Sequence, residues 1–238
     1  MRVIAVLFVV VATVVSSLGT TQAQGTAQAS YRVRIFNLTT GQPFSPPVAA
    51  THKPDLHLFE VGKLASSEAE AIAEDGNQIP MVNLLTGHPS VTQVVDLGAP
   101  LTPIGKTVNT FTPTRTFTVT ANSGDRFSLL TMLICTNDGI LGLDGVALPG
   151  RGLRSFLVNG YDAGTEDNTQ DSVDIVDPCS ALGPTVLLGD PDGNDDAGPE
   201  AVPHRPIRLH PGIQSLGELT PALHGWLNPV ALVIIERL

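Results

Sequence analysis

The chain has 238 residues, 42% of them hydrophobic and 15% charged, with a formal net charge of −10 at pH 7. That length supports a sizeable core, and the acidity disfavours binding to nucleic-acid phosphates or anionic lipid surfaces. The charge is local, because eleven acids fall from Asp162 to Glu200 with no Lys or Arg between Arg154 and Arg205, while the rest carries 12 acids against 13 bases. Such a block repels phosphate and concentrates divalent cations.

Residues 1–23 read as a secretory signal, with Arg2 as a minimal positive region, an apolar run from Val3 to Val15 and a Thr21-Gln22-Ala23 cleavage pattern. The run is too short to span a bilayer, and the alternative is an uncleaved anchor. No later stretch approaches transmembrane length, so the mature chain is expected to lack a membrane span and to be secreted or periplasmic. About 215 residues then remain of the 238, a size that fits one all-β domain.

Gln24 to Ser30 is small and polar, a flexible tail before a domain expected over 31–238. Tyr31 to Ile35 alternates apolar with basic residues and predicts a strand with one face in the core. Gly41 to Pro47 carries three prolines and cannot continue it. Further strands are predicted at Leu56–Val61, Val91–Leu97, Thr114–Ala121, Arg126–Cys135, Leu153–Asn159, Thr185–Leu188 and Pro229–Arg237. Asn122-Ser123-Gly124-Asp125 joins two of them as a hairpin. The apolar run Phe127 to Cys135 predicts a central strand covered on both faces.

One short helix is predicted over Ser67–Glu74, with Ser67 and Glu70 as a capping box, Gly76 as a stop, and Glu68, Glu70 and Glu74 on a solvated face. About eight strands, one short helix and a long acidic loop over Asp167–Glu200 define an all-β antiparallel sandwich whose connections cluster at two ends. Asp190 to Asp196 looks like a calcium loop, but its glycine stands at position 4 and Ala201 occupies position 12, so it fails as an EF-hand. A weak second cation site there stays open. Cys135 and Cys179 in an exported chain suggest one disulfide, against the alternative of two unpaired thiols.

The most informative stretch is Tyr161-Asp162-Ala163-Gly164-Thr165-Glu166, which sets two carboxylates four residues apart across a turn after a strand-like run. Thr136-Asn137-Asp138-Gly139 ends another strand with an acid beside a glycine. Hard cations take several oxygen donors from such loops, and calcium suits them better than zinc because no Cys/His pair accompanies the carboxylates. Three carboxylates near one point repel each other until a cation joins them. The alternative is that Asp162 and Thr165 only cap a turn. Asp144 could help orient the site or form a turn of its own.

These motifs, in order with Ala50-Thr51-His52, Leu58 to Gly62, Ala73 to Gly76 and Asn228-Pro229-Val230-Ala231, resemble the spondin amino-terminal domain family in its bacterial single-domain form. The resemblance implies an eight-stranded antiparallel β-sandwich with one Ca2+, with Asp138, Asp162 and Glu166 in the ligand positions. Asn137 and Gly139 depart from the animal Ser-Pro-Asp-Trp motif, and Glu166 stands where animal members usually carry Asp. The implied function is a secreted calcium-binding recognition or adhesion-type module without catalysis, with a glycan, an envelope component or a protein as partner. Two other readings are an exported metal-assisted hydrolase with His52 or His210 as base, and a purely structural envelope protein.

None of the six histidines has metalloprotease spacing, and no Gly-x-Ser-x-Gly elbow, phosphate loop or basic-aromatic patch occurs. His52 reads as a satisfied structural side chain. Trp226 is expected to pack under the final strand, and Asn37-Leu38-Thr39 is a formal glycosylation sequon.

Overall fold

The computed structural model describes residues 28–184 and 203–238. The signal at 1–23, the strand at Thr185–Leu188 and the Asp190–Asp196 loop lie outside the described residues.

Ten strands among the described residues form two antiparallel sheets. They are β1 (Gln28–Asn37), β2 (Val48–His52), β3 (Val91–Asp96), β4 (Thr114–Asn122), β5 (Arg126–Met132), β6 (Gly139–Ala147), β7 (Leu153–Val158), β8 (Gly160–Asp162), β9 (Arg208–Leu209) and β10 (Ala231–Arg237). The four-stranded sheet runs β4-β1-β10-β7 and the six-stranded sheet β3-β2-β5-β6-β8-β9. The helices are α1 (Ser67–Asp75), α2 (Ile79–Leu85), α3 (Pro178–Leu182) and α4 (Pro221–His224). No described helix is long and apolar enough to cross a membrane.

The alternation in β1 does what its sequence requires. Tyr31, Val33 and Ile35 turn inward and join Val119 and Ala121 of β4, Phe127 and Leu129 of β5 and Val233 and Ile235 of β10 in the core between the sheets. A second core lies on the other side of the six-stranded sheet, where Val48, Ala50, Leu130, Met132 and Ile140 pack against Ile72, Met81, Leu85 and Leu182 of the helices. Double coverage explains the unbroken apolar run of β5, since each buried Leu or Phe contributes about 2 kcal/mol by leaving water.

Several elements differ from expectation. β1 begins at Gln28, so Gln28 to Ser30, assigned to a tail, belong to the sheet. Leu56–Val61 is not a strand; its alternation is satisfied by packing Leu58 and Phe59 against the helix-side core without a ladder. The predicted strand through Cys135 stops at Met132, and β2, β6, β8 and β9 are strands that the sequence did not announce. Helix α1 is capped by Ser66, whose side chain accepts from Ala69 N, rather than by Ser67. Glu74 is buried rather than solvated, and Glu70 pairs with His204 (3.2 Å). The acidic stretch after Asp167 is structured in its first part, carrying a 3-10 turn at Ser172–Asp174 and α3. The sequon is closed by the fold, because the Asn37 amide is buried and donates to the carbonyls of Gln42 (2.7 Å) and Thr102 (3.0 Å).

Candidate functional site

After β5 the chain makes a tight turn into β6. Thr136 Oγ1 donates to the Leu133 carbonyl (2.5 Å) and accepts from Gly139 N (2.8 Å), which places Asp138 at the mouth of the sheet. Cys135 in this turn is joined to Cys179 of α3 with Cα atoms 5.0 Å apart, so the expected disulfide is present. Asn137 holds the opposing loop, donating to Thr169 Oγ1 (3.1 Å) and accepting from Gln170 N (3.2 Å).

Strand β8 brings Asp162 to the same rim, with Gly139 opposite Asp162 in the β6–β8 ladder and Arg208 opposite it in the β8–β9 ladder. The chain then wraps over Asp138. Ala163 N donates to the Asp138 carbonyl (3.1 Å), while Thr165 N (2.9 Å) and Glu166 N (3.2 Å) both donate to Asp138 Oδ2. Gly164 makes this wrap possible, since it sits at φ +74° and a Cβ there would collide with the Arg205 carbonyl.

Asp138, Asp162 and Glu166 are all buried, at 0%, 0% and 2% exposure. Their environments differ. Asp138 Oδ1 is buried with no hydrogen-bond partner, and so is Thr165 Oγ1. Burial first, and then the charge of Asp162, raise the Asp138 carboxyl to about 6 against the pull of three backbone N–H groups. Asp162 is saturated instead, with Oδ1 accepting from Gly164 N (2.9 Å) and Oδ2 accepting from Asn168 Nδ2 (3.0 Å) and from Arg208 Nε (3.2 Å) and Nη2 (3.0 Å). Among the described residues no three His, Cys, Asp or Glu side chains form a group that could hold a metal as they stand. The three predicted residues are therefore gathered at one rim by β6, β8 and the loop between Ala163 and Glu166, while Asp162 is held by an arginine. Sequence reasoning missed Arg208; its signal was only that it is one of the few bases following the acidic block.

The lining is of the type a hard cation takes, although no three of its acidic side chains form a group that could hold one as they stand. It is all oxygen, it lies on loops at strand ends, and it includes two buried oxygens without hydrogen bonds.

The Spondin_N family model matches residues 30–174. The chain belongs to the Spondin_N family. The matched stretch contains all three acids of this rim, whereas Arg205, Arg208 and Cys179 lie beyond it. No curated protein matches the chain. The Spondin_N assignment agrees with the two-sheet architecture, and the disulfide fits an oxidising compartment.

The other sequence candidates are committed elsewhere. His52 is buried in β2, where Nδ1 donates to the Lys53 carbonyl (2.8 Å) and Nε2 accepts from Ser128 Oγ (2.7 Å), the satisfied structural role expected of it. His210 neighbours Asp162 but is 4% exposed, has Nδ1 accepting from Gly212 N (2.9 Å), and is pushed down to about 4 by burial. Trp226 packs beside Gly160 and the His210 ring, with centroids 4.9 Å apart, and against the inter-sheet core that holds Ala231, Val233 and Ile235 of β10, as expected.

Asp144 lies further along β6, away from the rim, and is part of neither the site nor a simple turn. It accepts from Leu58 N (2.8 Å) and pairs with His57 Nδ1 (2.5 Å). This hydrogen bond raises the His57 pKa above 6.5. A histidine raised on folding contributes stability that is complete below its unfolded pKa and is lost as pH rises through the raised value. Urea midpoints of wild type are thus expected to fall from pH 6 towards pH 8 more than those of His57→Gln, and parallel curves would refute the coupling.

Proposed function

We propose that the chain is an exported, non-catalytic recognition module in which one calcium, held by Asp138, Asp162 and Glu166, fixes the loops at one end of the sandwich. The observation that carries this reading is the Asp138 carboxylate, which is fully buried beside a second carboxylate and offers one oxygen to two backbone N–H groups while the other has no hydrogen bond. A buried anion without a counter-charge is unfavourable, and a bound cation supplies that charge. The residues then act as a clamp. Asp138 ties the β5–β6 turn to the wrap of Ala163 to Glu166, and Asn137 ties it to Thr169 and Gln170, so this turn and the connection after β8 present one surface. A glycan, an envelope component or another protein is the class of partner such a surface serves.

The hydrolase alternative needs a histidine base with access to water at the metal. His52 is committed within the sheet and His210 is buried and neutral near pH 7, so the geometry favours binding over catalysis.

Isothermal titration of the mature protein with calcium tests the reading. One site is expected in wild type, with binding lost or weakened at least a hundredfold, about 2.7 kcal/mol, in Asp162→Ala and in Glu166→Ala. No binding in wild type, or unchanged binding in both variants, would dispose of it.

A further inference from the structure

The helix side of the six-stranded sheet carries a recess of about 330 Å³, set between the loop after β2, the start of α1 and the end of α2. Its floor is apolar. Leu58 and, from α2, Met81 and Leu85 are almost fully buried there, while Leu84 stays 50% exposed at the wall. A leucine exposed on a flat surface is ordinary, but in a concavity of ligand size over an apolar floor it is unfilled contact area.

The rim carries one sign of charge. No described Lys or Arg lines the recess, whereas Asp55 and Glu68 do. Neither acid takes part in a hydrogen bond or an ion pair with another described residue. The remaining titratable groups are committed. Asp144 accepts from Leu58 N (2.8 Å) and pairs with His57 Nδ1 (2.5 Å), and His88 has Nδ1 accepting from Ser90 N (3.2 Å), so that ring adds no positive charge. With His57 protonated, Asp55, Glu68 and Asp144 still exceed it by two charges, and loss of that proton widens the excess. Low-dielectric walls sharpen the potential of like charges gathered around a cleft.

We infer that this recess is a binding site for a small organic amine, whose hydrocarbon body lies on Leu58, Met81 and Leu84 and whose ammonium group is met by Asp55 and Glu68. An apolar floor under an acidic rim complements such a molecule in both halves, and it repels a ligand of the same shape with an anionic head. Glu68 also stands in the first turn of α1, where a negative charge favours the helix, but that role accounts for neither Asp55 nor the unfilled floor. The site is independent of the rim and its proposed cation, because none of Asp138, Asp162 and Glu166 lines it.

The test uses three probes of one shape, cyclohexylmethylammonium, cyclohexylmethanol and cyclohexanecarboxylate, with methylammonium as the head group alone. The readout is the methyl resonances of Met81 and Leu84 in 13C-methyl-labelled protein. Cyclohexylmethylammonium is expected to shift both in a saturable way, with the alcohol about tenfold weaker, as two exposed charge pairs allow, and the carboxylate weaker still. Methylammonium should leave them unmoved. Asp55→Asn and Glu68→Gln should each weaken the amine about threefold and the double variant about tenfold, down to the level of the alcohol. Amide spectra of the variants separate a loss of affinity from a loss of α1, and the ranking of the probes on wild type decides the question without any variant. Alcohol or carboxylate binding as tightly as the amine would overturn the inference, since the recess would then be apolar without preference for a cation. So would the absence of a saturable shift with the amine, or an affinity unchanged in the folded double variant. None of these results bears on calcium at the rim, which the titration of Asp162→Ala and Glu166→Ala decides separately.

Discussion

Replacing Cys135 and Cys179 together by alanine is expected to lower unfolding stability by about 4 kcal/mol, the chain-entropy value for a closed loop of this length. The bridge spans 44 residues and joins the turn before Asp138 to α3. It closes off most of the chain from β6 to the first acidic residues beyond β8, so its loss enlarges the unfolded ensemble. The packing around it adds to the effect. Both cysteines are buried in the helix-side core with Ile134, Ile175, Val176 and Leu182, and Gly183 lies so close that a Cβ would meet Cys135 Sγ. A loss of this size is a large fraction of a domain's total of about 5–15 kcal/mol. Urea denaturation of the double variant against the oxidised wild type measures it, and a difference below about 1 kcal/mol would show that α3 is held by packing rather than by the bridge.

Asp138→Asn should give a crossing result. Asparagine keeps an oxygen for Thr165 N and Glu166 N but removes the charge whose carboxyl is raised from 3.8 to about 6. The sign follows from linkage. Below pH 3.8 the carboxyl is protonated whether folded or not, and the favourable protonated state is lost as pH rises through 6. The ionised group therefore costs the calcium-free fold about 3 kcal/mol at neutral pH. Without calcium at pH 7.5 the variant is expected to melt several degrees above wild type. With calcium in excess the order reverses, because saturation at about a hundred times the dissociation constant adds about 2.7 kcal/mol to wild type only. Melting curves in chelator and in calcium decide the matter, and an Asp138→Asn protein less stable than wild type in chelator would contradict the account of a strained carboxylate.

Much of this architecture was legible in the residues. The inward set of β1 and the doubly covered β5 follow from local patterns that tertiary packing reinforces, whereas the Asn122–Asp125 turn expected to close a hairpin instead carries the chain from one sheet to the other, since β4 and β5 lie in different sheets. β2 was not legible, since Val48-Ala49-Ala50-Thr51-His52 follows a proline-rich segment and has weak strand preference; its place between β3 and β5 makes it a strand. β6 carries Gly139, Gly142 and Gly145, which read as turns. Gly142 is there because a Cβ would strike the Leu129 carbonyl and the Phe59 ring. Helix α2 hid behind Pro80, which is tolerated in its first turn. At the rim, the spacing of Asp162 and Glu166 and the Asn137-Asp138-Gly139 turn singled out the acids in advance. Arg208 could not be found that way, because its pairing with Asp162 exists only through the β8–β9 ladder, 46 residues apart in sequence.

The position of β10 sets the order in which the molecule is assembled. It lies between β1 and β7, with Tyr31 opposite Arg237, so the four-stranded sheet is a zipper joined by segments about 200 residues apart. Until residues 231–237 arrive, β1 has a partner on one side only and presents an open ladder beside Val33 and Ile35. Closing so distant a pair is slow, and an open apolar edge invites other strands. During synthesis the nascent molecule is therefore a half-built sandwich in need of shelter, and it becomes self-sufficient only when its two remote ends meet.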